Sequence, residues 1–110
     1  MHGNHPKMEC AMITEIAELN IQAGTSADFE AAVAKAVPLF QRAQGCHSMR
    51  LERGIEQPDS YRLVVEWATL EDHEVHFRGS ADFQAWRGLV GPYFAAAPHV
   101  IHTTGVLTGF

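Results

Sequence analysis

Residues 46–53 and 61–68 alternate between two side-chain faces, one of them apolar, and nothing else in the chain restricts its fold as much. In the first run Met49 and Leu51 share one face, while Ser48, Arg50 and Glu52 share the other. In the second, Tyr61, Leu63, Val65 and Trp67 oppose Arg62, Val64 and Glu66. Period-two alternation is the mark of a half-buried strand. Between the runs stand Gln57, Pro58, Asp59 and Ser60, which are turn-forming residues. Two strands joined in this way predict an antiparallel hairpin.

The flanking segments complete the pattern. Residues 12–21 alternate as well, with Ile13, Ala17, Leu19 and Ile21 on one face, and Gly24 closes them. Thr25 and Asp28 form a capping-box pattern ahead of a helix over 26–43, whose Phe29, Val33, Val37 and Phe40 recur at helical spacing. Pro38 should kink it, because proline removes a backbone donor. After the hairpin, Thr69 and Asp72 open a short helix to Arg78. Ser80 caps another that carries Phe83, Trp86 and Tyr93, with Gly91-Pro92 disturbing its last turn. Residues 98–107 read as a final strand, 1–11 as an arm and 108–110 as a tail. The order strand, helix, strand, strand, helix pair, strand is the split β-α-β arrangement of ferredoxin-like α+β folds. Such a chain forms one domain over 12–107, with a four-stranded antiparallel sheet covered by helices on one face.

Composition narrows the function. Eight basic residues against thirteen acidic ones give a net charge of −5, a poor balance for a nucleic-acid binder. No apolar run long enough to span a membrane is present, and no signal-peptide pattern is visible. Cys10 and Cys46 are too few and too far apart for a disulfide scaffold, so both read as free thiols in the cytoplasm. The second sheet face carries Glu18, Arg50, Glu52, Arg62 and Glu66 with Ile16 and Val64 among them. That face is either solvated or a self-complementary dimer surface.

The stretch Val64-Val65-Glu66-Trp67-Ala68, then 72–78 (Asp-His-Glu-Val-His-Phe-Arg), then Phe83-Gln84-Ala85-Trp86, closely resembles the antibiotic biosynthesis monooxygenase family. The likeness covers roughly 12–107. It implies a homodimer whose sheets combine into a dimeric α+β barrel. It also implies oxygenation of a small aromatic, quinol or anthrone-like molecule by dioxygen, without metal, flavin or heme. Such chemistry needs a base, donors aimed at the developing oxyanion, and a dry aromatic cavity.

The resemblance suggests which residues serve. Trp67 and Arg87 match the Trp and Arg of anthrone-type members, whereas Leu63 and His73 stand where those members carry Asn and Tyr. His76 matches a His that many members carry, and it is the first candidate for the base, with His73 as its substitute one turn earlier. Phe77, Phe83, Trp86, Tyr93 and Phe94, with Leu63, are the candidate substrate wall. Each of these aromatics also fits plain core packing. His73 and His76, at i and i+3, would share a helix face, yet the run His-Glu-Val-His is one residue short of a zinc-protease motif. His99 and His102 face opposite sides of their strand, and His2 and His5 read as solvent-exposed. Ala17 stands where heme-degrading members carry Asn, and the helix from Ser80 contains no axial His. The expected cofactor is none. Isomerisation of a small carbonyl compound and non-catalytic ligand binding are the alternatives.

Overall fold

A computed structural model describes residues 12–110; the arm predicted over 1–11 lies outside the described residues. Four strands, β1 (Ile13–Asn20), β2 (Cys46–Arg53), β3 (Ser60–Trp67) and β4 (His99–Thr104), form one sheet in the order β2-β3-β1-β4. Every neighbouring pair is antiparallel. Two helices, α1 (Ser26–Gln41) and α2 (Ala81–Val90), complete the ferredoxin-like α+β fold that the alternation predicts. β1 is central, and its register brings Glu15 opposite Val65 on one side and His102 on the other. The alternation in β2 is broken once, by a bulge between Cys46 and Ser48. β4 ends at Thr104, short of the predicted 107, and residues 105–110 join no ladder.

The core lies between α1 and the odd-numbered face of β1 and β3. Phe29, Val33, Ala36 and Phe40 of α1 pack with Leu19, Tyr61, Leu63 and Val65, all buried. Burying one such Phe contributes roughly 1.5–3 kcal/mol, so the α1 stripe is a principal anchor of the fold. The helix runs through Pro38 to Gln41. Its start differs from the capping box expected at Thr25. The Thr25 hydroxyl turns back and donates to the Gln22 carbonyl at 2.6 Å, so the helix has no side-chain cap. The α1 end is tied to the start of α2 by Arg42, whose guanidinium donates twice to the Asp82 carboxylate, each at 2.7 Å.

Between β3 and α2 the chain forms a π-helical turn, Asp72–Phe77, in place of the ordinary helix expected there. The Arg78 N–H reaches five residues back to the His73 carbonyl at 3.0 Å, the wider π pattern. Its entry follows expectation, because Thr69 Oγ1 accepts the Asp72 N–H at 3.1 Å. Gly45 makes this turn possible. Its φ of +76° is a left-handed value, and a Cβ there would overlap the Asp72 carboxylate. Ser80 Oγ then accepts the Phe83 N–H at 3.1 Å, capping α2 as predicted. Gly91–Tyr93 tightens into a 3-10 turn, as Gly91-Pro92 suggested.

Candidate active site

A cleft of about 880 Å³ opens between the β1 end of the sheet, the residues around α2, and the 94–98 segment leading to β4. Its wall mixes apolar and charged groups. Ala17, Leu63, Phe83, Trp86 and Phe94 supply the apolar part, and Glu15, His73, Arg78, Gln84 and Arg87 the polar part. The segment Ala95-Ala96-Ala97-Pro98 forms one side with small residues, leaving space where larger side chains would close it.

At the floor of the cleft three side chains from three elements meet. Glu15 Oε1, from β1, accepts the indole N–H of Trp67, from β3, at 3.0 Å. The same oxygen lies 3.3 Å from Nε2 of His73, on the π turn. The His73 ring stacks against Trp67, with centroids 5.2 Å apart and an interplanar angle of 23°. Its second nitrogen, Nδ1, lies 2.8 Å from Nε2 of His102 on β4. Glu15 and His73 are only 5% and 3% exposed. A carboxylate taken out of water resists ionisation. Burial pushes the Glu15 pKa up to about 7, against the opposing pull of the Trp67 N–H and the Arg78 charge. Burial, then the charges of His102 and Arg78, push His73 down to about 4.

The cleft gathers only part of the residues singled out from sequence. Leu63, His73, Phe83, Trp86, Arg87 and Phe94 line it. Trp67 is completely buried behind it, and its N–H is engaged by Glu15 rather than turned to the cleft. Phe77 lies in the core, its ring tilted against those of Phe40 and Trp67. Tyr93 is half-buried against Phe29. His76 is exposed and outside the wall. The expected shared face of His73 and His76 assumed an α-helix. The wider π turn rotates residues three apart away from each other, so one imidazole goes inward and the other out.

Glu15 was missed by sequence reasoning, although a signal existed. It lies at an odd position of β1, between Ile13 and Ala17, on the face that the alternation turns toward the helices. A carboxylate on an apolar face is either an error of phase or a functional group. Arg78 and His102 carried no comparable signal. Arg78 follows the π turn and His102 meets His73 only through the fold.

This arrangement can move protons. A carboxyl group titrating near neutrality and open to a cleft suits a general base. Arg78 and Arg87 both line this wall beside Phe83, their guanidinium carbons 5.9 and 6.0 Å from its ring centre. They are donors for an anion held there. Cys46 is unsuited to nucleophilic attack, because burial and the Glu15 charge push its thiol up to about 11. The His73 and His102 nitrogens point at one another at hydrogen-bond distance. Among the described residues no cluster of three or more His, Cys, Asp or Glu is arranged to hold a metal ion.

The strand order β2-β3-β1-β4, with helices packed on one face, defines a ferredoxin-like α+β protein. The sequence signature of the antibiotic biosynthesis monooxygenases matches residues 12–89, and the chain belongs to that family. YczJ of Bacillus subtilis (strain 168), which is uncharacterised, is 37% identical over 91 residues, covering 83% of this chain and 96% of YczJ. A crystal structure from Bordetella bronchiseptica, assigned to the antibiotic biosynthesis monooxygenases, is 57% identical with a TM-score of 0.87. That match covers 88% of this chain and 99% of the other. SnoaB, a cofactor-independent oxygenase from Streptomyces nogalater, shares the fold at 17% identity and a TM-score of 0.78, over 90% of this chain and 97% of its own.

Proposed function

We propose that the protein is a cofactor-independent monooxygenase that takes a small, flat, electron-rich aromatic bearing an acidic hydroxyl, such as a quinol. The observation that carries this reading is Glu15, a buried carboxyl group facing the cleft that accepts the Trp67 N–H and lies 3.3 Å from His73 Nε2. Glu15 takes the hydroxyl proton. Trp67 holds the carboxylate in place and is a positioning residue, since it does not line the cleft. The resulting substrate anion lies against Phe83, Trp86 and Phe94, with Arg78 and Arg87 as counter-charges that stabilise it. The anion supplies the electrons to dioxygen: a C–O bond forms at a ring carbon, the O–O bond breaks, and the second oxygen leaves as water with that carbon's hydrogen and one proton from the medium, so the substrate is oxidised to its quinone. SnoaB shares this fold and is a cofactor-independent oxygenase, which supports the reaction class.

The test is oxygen uptake with a panel of quinols and anthrones, comparing the wild type with Glu15→Gln. Loss of a general base slows turnover by about 10²–10⁴-fold. Uptake by the wild type that Glu15→Gln retains in full would remove Glu15 from the mechanism. Turnover of a carbonyl substrate without oxygen would move the same proton chemistry to isomerisation. The working unit in this reading is a homodimer formed through the uncovered sheet face. There Ile16 pairs in register with Val64 and Ile101, giving an apolar strip across three strands.

A further inference from the structure

His102 takes no part in the cleft wall, yet it is in hydrogen-bond contact with a residue that does. The line from Glu15 Oε1 to His73 Nε2 is 3.3 Å, and that from His73 Nδ1 to His102 Nε2 is 2.8 Å. His73 therefore bridges the buried carboxyl and a half-buried imidazole on the edge strand β4. We propose that Glu15, His73 and His102 form a proton relay in which His102 is the outlet that empties the cleft acid toward solvent. The inference rests on the base role given to Glu15 above.

The geometry permits two hydrogen-bond registers. With Glu15 protonated, its O–H donates to His73 Nε2, and the His73 Nδ1–H donates to His102 Nε2. Moving both protons one place along leaves a Glu15 carboxylate, a neutral His73 with its proton on Nε2, and a His102 imidazolium. Two N–H bonds form, one O–H and one N–H bond break, and the total charge is unchanged. The imidazolium then releases its other proton from Nδ1 to water. His73 is neutral before and after, which matches a buried ring that strongly resists carrying charge. A group that cannot hold a proton of its own makes a poor final base but a good exchanger. Trp67 cannot compete for the proton, because an indole N–H only donates. The other titratable or charged groups acting on this line are Cys46 from β2, which feels the Glu15 charge, and Arg78 beyond the π turn, which acts on both Glu15 and His73. Neither offers a proton acceptor in line with His73.

Two readouts test the relay. The first needs no substrate. In isotope-labelled protein, the His102 ring nitrogens should exchange tautomer at the midpoint at which the Glu15 carboxyl carbon titrates, because the line shares one proton. Across that range the His73 ring should change tautomer without becoming charged. His73→Gln keeps hydrogen bonds but passes no proton across, so it should separate the two midpoints by about one pH unit or more. Independent midpoints in the wild type overturn the relay. The second readout is turnover. His102→Gln should lower kcat with quinol by about tenfold, at the low end of proton-transfer effects, leave KM unchanged, and recover on adding free imidazole. Wild-type kcat in His102→Gln overturns the relay. Absence of oxygen uptake in the wild type would instead count against the monooxygenase reading, and the shared midpoint would still decide the relay.

Discussion

At the residue scale, Glu15 and His73 are strained electrostatically in opposite directions, and this has a thermodynamic signature. Glu15 is raised from 4.5 to about 7. As pH rises through that window the unfolded chain gives up its proton first, so this group lowers stability with rising pH. His73 is depressed from 6.5 to about 4. As pH falls through that window the unfolded chain takes the proton first, so this group lowers stability with falling pH. The two slopes overlap and largely offset one another in the wild type. Glu15→Gln removes the first and should expose the second. Relative to wild type, the variant should gain stability above pH 7 by an amount on the order of 3 kcal/mol, at 1.36 kcal/mol per pKa unit. It should gain nothing near pH 4. Urea titrations at several pH values check this, and an equal gain at both ends would remove burial of the Glu15 charge as the cause. His76 supplies a contrast. It is exposed and outside the cleft, so His76→Ala should change quinol turnover less than about twofold, well short of the 10²–10⁴-fold loss of a base.

At the element scale, the π turn decides the site. It converts a spacing that would put His73 and His76 together into one that separates them, and it seats His73 between Trp67 and His102. The turn packs on the β2 entry through Gly45, whose place allows the Asp72 carboxylate to accept from Gln44 at 3.1 Å. Gly45→Ala should therefore cost more than the roughly 1–2 kcal/mol of a left-handed backbone, because Asp72 must also move. Chemical denaturation measures the stability, and the Trp67 near-ultraviolet dichroism should change with it. A loss of only about 1 kcal/mol with unchanged dichroism would show that the turn adapts freely. On α2 the Ser80 cap is ordinary, and Ser80→Ala should cost about 1 kcal/mol.

At the scale of the whole molecule, helices cover one sheet face, and among the described residues no helix covers the other. The uncovered face has Ile16, Val64 and Ile101 in register, flanked by an Arg50–Glu52 ion pair at 2.9 Å and by Ser48 Oγ donating to Glu66 at 2.8 Å. Ile101 is 45% exposed, so a charge there costs a lone subunit little and a buried interface much. Light scattering at micromolar concentration should report twice the 12.1 kDa chain mass. Ile101→Glu should shift it toward the single-chain mass by charging an interface of more than ~1,000 Å². A wild type that runs at single-chain mass would remove the dimer.

The alternation in β1, β2 and β3, the helical stripe of α1 and the Ser80 cap were legible in the sequence because each is local. A period-two or period-3.6 pattern states which face must be buried, whatever the partner. The element order predicts the ferredoxin-like fold, and the structure sets the strand order β2-β3-β1-β4 within it. Leu63 and the clustered aromatics Phe83, Trp86 and Phe94 were candidates for a substrate wall and Arg87 a match to the family's Arg; all five line the cleft. What the sequence could not determine was the polar floor. Glu15 and His73 are 58 positions apart by their numbering, and His102 lies on another strand. Their contact depends on the β1–β4 register and on a π turn whose hydrogen bonds no side-chain pattern announces. The exposed His76 and the buried His73 occupy equivalent places in a helical reading, and only the tertiary packing of the turn over Gly45 and Trp67 tells them apart. Proton affinity is decided at the same level, because the shift of a carboxyl to about 7 comes from removing water, and the chain removes that water only when it folds.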